Sequence, residues 1–203
     1  MPSSVKTKAL ILRSTKYGEA DLILHALTMG GEKISLLARG ALKSKKRFAG
    51  GVLEPTHFVE LRFKKPMSEN RLSTLEEAHL LSGFEKLRQS YDKMEAAFSV
   101  LESLSKASQE GDSLSDGLFN LGGNSLRALE KAQNLAIFKL HFCLKMLFQQ
   151  GVLEPESWMT PYLGTPMSEH EKIEDLKDPQ SELHLRWAEN KLREYLSTGM
   201  LST

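Results

Sequence analysis

Cysteine is almost absent from this 203-residue chain: Cys143 is the single one. One thiol excludes an intramolecular disulfide and any cysteine-rich zinc site, and within an apolar run Cys143 reads as a small buried hydrophobe. Long hydrophobic runs are missing as well. None approaches the roughly 20 residues that span a bilayer, and the opening MPSSVKTKALILRS lacks the apolar core and small-residue cleavage site of a secretory signal. The expected compartment is the cytoplasm. There is no GxxxxGK(S/T) phosphate loop, no GxSxG elbow and no HExxH. The histidines, at 25, 57, 79, 141, 170 and 184, are scattered. Only His170, in EHEKIE, has close carboxylates, and that run reads as a solvated acidic stretch. No catalytic constellation emerges, so the expectation is a non-enzymatic binding protein without metal or other cofactor. Its rival is an enzyme whose site is assembled from scattered carboxylates and histidines.

Net charge is scarce too, at +1, but it is unevenly placed. Residues 1–65 hold 13 lysines and arginines against 5 acids, whereas residues 66–203 hold 14 against 21. Such a split describes a basic head that meets a polyanion and a body that does not. The charge concentrates in ARGALKSKKRFAGG, residues 38–51, where Arg39, Lys43, Lys45, Lys46 and Arg47 meet no acid between Glu32 and Glu54. Gly40, Gly50 and Gly51 let backbone approach a ligand closely. Aromatics lie beside cations in Lys16-Tyr17, Arg47-Phe48 and Phe63-Lys64-Lys65. That mixture suits single-stranded nucleic acid, whose phosphates need charge and whose unstacked bases need a flat apolar surface. Tyr17, in a turn, is the aromatic best placed to stack; the others are expected inside the fold.

The head reads as β structure. Strands are expected over 5–14, 21–28, 34–40 and 54–64, with RLSTLEEAHLL from Arg71 a weaker fifth. Gly18 and the Gly30-Gly31 pair suit the tight turns. In the fourth strand His57, Val59, Leu61 and Phe63 share one face, and Phe58, Glu60 and Arg62 the other. Five short strands suggest a small barrel or sandwich. The period then changes. Phe84, Leu87, Tyr91, Met94, Phe98 and Leu101 form a helical stripe. Residues 112–125 look like a loop, because Gly117, Gly122 and Gly123 interrupt them. Residues 126–150 read as one apolar central helix, and 152–178 as a partly ordered connection. Asp178-Pro179 is expected to cap a last helix with Leu185, Ala188, Leu192 and Tyr195 buried.

An ordered set of markers runs through the head: KALILRS, then YGEAD, GGEK, ISLLARGA, the basic KSKKRFAGG, and an EP-containing entry to the fourth strand. Over about the first 80 residues this resembles the N-terminal domain of the RecO family of bacterial recombination mediators. The body is similar only in outline, through helices, the apolar FKLHFCLKML segment and a short terminal helix. The resemblance implies an α+β chain, with a five-stranded oligonucleotide/oligosaccharide-binding (OB) barrel over 1–80 and an all-α helical bundle over 81–203. It implies binding of single- and double-stranded DNA, annealing of complementary strands, and contact with the C-terminal tail of single-stranded-DNA-binding protein (SSB). It also implies work with RecR to load RecA onto coated strands in DNA repair. Many members carry a four-cysteine zinc module after the apolar helix; residues 152–178 here have no cysteine, so zinc is not expected.

The candidate phosphate contacts are Arg39, Lys43, Lys45, Lys46 and Arg47, extended by Arg13, Lys16, Arg62, Lys64 and Lys65, with Tyr17 as a stacking residue. The usual ligand face of such a barrel is its second and third strands, with the loops after strands one and four, here TKYGEA and KKPMSENR. An acidic tail ending in apolar residues needs a groove with nearby cations, for which Arg127, Lys131, Lys139 and Lys145 are candidates. An RNA-binding or translation-associated barrel protein would share the same basic head.

Overall fold

A computed structural model describes residues 4–44, 46–48, 51–66, 72–110 and 116–198. Five strands, β1 (Ser4–Tyr17), β2 (Asp21–Thr28), β3 (Lys33–Ala38), β4 (Phe58–Lys64) and β5 (Ser73–Ser82), close into a barrel in the order β1-β2-β3-β5-β4. All pairs are antiparallel except β3 with β5, which joins Leu36 to Ser73 and Leu37 to Thr74 in parallel. This closed barrel is the OB fold, and closure leaves no free edge to aggregate.

Alternation fills the barrel. Leu24, Ala26, Leu36, Ala38, Val59, Leu61 and Phe63 are all buried and point to one core, as the period of two requires. Phe58, Glu60 and Arg62 face the other way, as the fourth strand's pattern predicted. The β2–β3 turn places Gly31 at φ 85°, a conformation that glycine takes without strain. β1 is longer than expected, and ALIL at 9–12 is buried on both of its faces. The weak fifth strand is fully formed.

The chain divides into two compact units. One is Met1–Phe84 with Ser108–Asn120, the other Glu85–Ala107 with Leu121–Thr203. In the barrel unit the later segment returns to the strands. Glu110 bridges to Lys33, and the Phe119 ring lies 5.8 Å from that of Phe58.

The helices are α1 (Tyr91–Ala107), α2 (Asp116–Lys131), α3 (Leu135–Gln149), α4 (Thr160–Gly164) and α5 (Ser181–Thr198). The α1 stripe is different: Tyr91 and Phe98 are exposed, and Ala96, Ala97, Val100, Leu101 and Leu104 form the buried face. Residues 85–89 form a 3-10 turn, whose tighter winding shifts the phase before α1 begins. The expected loop is helical from Asp116 onward. Leu118, Leu121, Ser125 and Leu129 keep a helical burial period through the glycines, which outweighs about 1 kcal/mol for each interior glycine. The single helix expected over 126–150 is interrupted before Leu135, where the Asn134 side chain accepts from the N–H groups of Ala136 and Ile137 at 3.1 and 3.2 Å and starts α3 afresh.

α3 is buried nearly all round and is the centre of the helical unit. The stretch 152–178 is built from short turns rather than a loose connection: 3-10 helices at Ser157–Met159 and Met167–Lys172 flank α4, and Met159, Tyr162, Met167, His170 and Ile173 are buried. The acidic run is therefore only half solvated. Asp178 accepts the Gln180 N–H at 2.9 Å, as the expected cap would, although regular helix begins at Ser181. The buried face of α5 uses Leu196 rather than Tyr195.

Candidate nucleic-acid interface

The basic stretch after β3 turns back against the barrel. Gly40, at φ 66°, lets the chain reverse, and its N–H is held at 2.7 Å by the Asp21 carboxylate. A 3-10 turn, Ala41–Lys43, follows, tied to the first hairpin by the Leu42 N–H on the Ala20 carbonyl. Phe48 then enters the barrel core. It anchors the loop and is not free to stack on a base; Phe63 is likewise internal. The Arg47 guanidinium lies 5.1 Å from the Phe48 ring centre and donates to the Arg39 carbonyl at 2.9 Å, which fixes its direction. Lys45 and Gly50 lie outside the described residues, as do residues 67–71 of the KKPMSENR loop.

An open groove of about 920 Å³ runs along this side of the barrel. It is lined by Tyr17, Arg39, Arg47, Arg62, Lys64 and Lys65 over an apolar floor that includes Ile23, Leu37 and Leu72. Six of the candidate DNA contacts thus converge from four parts of the chain: the end of β1, the basic loop, β4 and the segment after it. Tyr17 is 56% exposed, which leaves its ring free for a planar ligand. Lys16 instead lines a separate hollow of about 530 Å³ with Leu42, Phe48 and Pro55. Arg13, Lys43 and Lys46 are exposed but do not line the groove. Among the described residues, Arg39, Lys43, Lys46 and Lys65 carry no ion pair.

Two carboxylates that sequence reasoning passed over also line the groove. Glu77 pairs with Arg62 at 2.6 Å; Glu76 reaches Lys64 at 2.7 Å and Arg62 at 3.9 Å. Neighbours on a strand normally face opposite ways. Here the β4–β5 register jumps from Arg62↔Glu77 to Phe63↔Leu75, and this bulge leaves Glu76 without a partner opposite it. Both acids then meet Arg62. The hydrogen bond from Lys64, with help from Ser4, holds the Glu76 carboxyl below its usual range. Adjacent glutamates were visible in LEEAH, but the bulge that aligns them was not.

Away from the groove, His25 Nδ1 lies 2.9 Å from the Ser35 hydroxyl, which donates to Glu110. Burial lowers the His25 pKa against the opposing pull of Glu110, and the chain of contacts holds the returning segment to β2 and β3.

In the helical unit, a groove of about 380 Å³ is lined by α1, α3 and α5, with Val100, Phe138, Phe142 and Leu196 as apolar walls and Lys106, Lys139 and Arg193 at its edge. Of the four candidate tail contacts only Lys139 lies there. Arg127 and Lys131 are exposed on α2. Lys145 is committed elsewhere: its ammonium donates to the Leu163 carbonyl at 2.6 Å, and burial lowers its pKa. Burial pushes the Cys143 thiol up to about 12, which leaves it unreactive. No group of three or more metal-ligating side chains is found among the described residues, and none of their helices is long and apolar enough to cross a membrane.

Residues 1–84 match the family described as recombination protein O, N-terminal. The chain is also similar to proteins named DNA repair protein RecO. That of Desulfosudis oleivorans is 35% identical over 141 residues, covering 70% of this chain and 52% of the relative. That of Syntrophobacter fumaroxidans is 31% identical over 150 residues, 74% and 58% respectively. The Rubrobacter xylanophilus protein is 31% identical over 147 residues, 72% and 57%. The chain therefore spans a little over half the length of these relatives. The five-stranded OB barrel with its cationic groove is thus the part of the chain that matches the N-terminal domain of recombination protein O, and the likeness to proteins named DNA repair protein RecO extends from it into the helices.

Proposed function

We propose that the chain is a non-enzymatic recombination mediator that binds single- and double-stranded DNA in the barrel groove and anneals complementary strands. The observation that carries this is the convergence of Arg39, Arg47, Arg62, Lys64 and Lys65 around the exposed Tyr17 ring. Phosphates follow the cations while a base rests on the aromatic. Annealing then needs no chemical step, because cations screen two repelling strands and base pairing completes the process. Lys43, Lys45 and Lys46 extend the field at the loop, and Arg13 and Lys16 at the first hairpin. With RecR, the protein would help load RecA onto SSB-coated strands. The SSB tail, acidic with an apolar end, would enter the helical-unit groove beside Lys139, with Arg127 and Lys131 outside it.

The test is fluorescence anisotropy of a labelled single strand across a salt series, with wild type beside a variant carrying Arg39, Lys43, Lys45, Lys46 and Arg47 as Ala. Each phosphate contact adds roughly −0.7 to the log–log slope for single strands, so the variant should flatten it by about 3. Equal slopes would take DNA off this loop. An RNA strand of the same sequence bound more tightly would favour an RNA-binding role, since a ribose preference requires 2′-OH readout. For the tail, Lys139→Glu should weaken binding of a labelled acidic peptide with an apolar C-terminus.

A further inference from the structure

The groove that gathers five cations also holds Glu76 and Glu77. A surface evolved only to attract phosphate gains nothing from acids among its cations. These two do not sit there through ordinary strand alternation either. Their alignment depends on the bulge opposite Arg62 and Phe63, which forgoes a regular ladder pair. Ser4, on β1, donates to Glu76 at 3.1 Å and steadies the carboxylate that bridges both Arg62 and Lys64. The outcome is that two of the groove's five cations are already paired in the unbound protein, while Arg39 and Lys65 are not.

We propose that Glu76 and Glu77 are built-in competitors of DNA phosphate: they occupy Arg62 and Lys64 and surrender them only to a backbone that lies along the full groove. This rests on the DNA reading above and adds to it a control on affinity. Arg62 and Lys64 are about half exposed, at 48% and 50%, so their pairs lie in a high-dielectric setting and are individually weak. They are therefore exchangeable. A phosphate meets Arg39, Arg47 and Lys65 with no carboxylate to displace among the described residues; contacts to Arg62 and Lys64 require one to leave. Weak exchangeable pairs hold the groove below its maximal affinity, which suits a protein that must let go of strands once they are paired.

The experiment measures single-strand binding by anisotropy over a salt series for the wild type, E76Q/E77Q, R62A/K64A and the quadruple combination, with the basic-loop variant alongside. Glutamine keeps the size and removes the charge. The E76Q/E77Q protein should bind roughly tenfold more tightly, with a slope steeper by about 1.4, the contribution of two further phosphate contacts. In the R62A/K64A background the same glutamines should have little effect. Should the loop variant lose affinity while E76Q/E77Q matches the wild type, the competitor role is wrong and the DNA reading stands. A loop variant indistinguishable from wild type would remove both. If the glutamines give their full gain without Arg62 and Lys64, the effect is general charge and the pairing is not its cause. Far-UV circular dichroism melts check folding; where the double variant melts early, E77Q alone, which removes the closer of Arg62's two carboxylates and leaves Glu76 in place, should tighten binding and steepen the slope by less than half as much.

Discussion

The Nδ1 atoms of His141 and His170 lie 3.1 Å apart inside the helical unit. His141 Nε2 is 3.0 Å from the Thr165 carbonyl, so Nε2 carries the proton and Nδ1 accepts from His170. The His141 ring is therefore neutral, and His170 Nε2, without a hydrogen-bond partner among the described residues, faces Glu174 at 3.6 Å. This pair ties the stretch after α3 to the central helix.

Acid should loosen that tie. Burial depresses His141 to about 4, against an ordinary 6.5, and lowers His170 in the same direction despite Glu174 and Glu171. Between those two pH values the unfolded chain binds a proton that the folded chain refuses. Stability is then full above pH 6.5 and falls as pH approaches 4, by about 3 kcal/mol for His141. Urea unfolding at a series of pH values measures this, and His141→Gln should start less stable but lose less on acidification.

Cys143 offers an independent probe of the same unit. Its raised pKa and burial should keep it from reacting with a disulfide reagent in the native state. As the only thiol, it should react at the rate of unfolding. Rapid stoichiometric labelling of folded protein would contradict the buried placement.

Phe48 fixes the basic loop from inside the barrel. Phe48→Ala should cost about 3–5 kcal/mol, read from chemical denaturation, although this residue lies in the most basic stretch of the chain. Its effect on DNA binding should follow the loss of folded protein.

Tyr17 should behave in the opposite way. Being exposed, Tyr17→Ala should leave stability nearly unchanged and weaken single-strand binding by about 1–3 kcal/mol. Tyr17→Phe should restore the binding. Equal loss in both variants would assign the contribution to the hydroxyl rather than to the ring face.

The barrel was legible because its residues obey one simple rule. Val59, Leu61 and Phe63 alternate with Phe58, Glu60 and Arg62, and a period of two survives in any environment. The helices were harder. Tyr91 and Phe98 are large and apolar, yet α1 buries its alanines, since close packing against neighbours selects small residues and no local signal announces it. Gly117, Gly122 and Gly123 suggested a loop, but burial on both sides of them favours the helix. His170 looked like part of a solvated acidic run, and its partner His141 is 29 residues away. At the candidate site the cations were visible as composition. Their meeting with Glu76 and Glu77 was not, because it depends on which residue of β5 is skipped in the pairing.

The return of Ser108–Asn120 to the barrel unit sets an order of events during synthesis. The five strands are all translated by residue 82, but Glu110 and Phe119, which cover Lys33, Ser35 and Phe58, follow only after α1. A nascent chain that has emerged only to residue 84, the end of the matched family segment, would hold a barrel with part of its outer wall bare. Completion waits until residue 120 has left the ribosome, by which time α1 is already outside. A gene fragment cut at residue 84 should therefore give a sticky, aggregation-prone product, and one extended past residue 120 a better-behaved one.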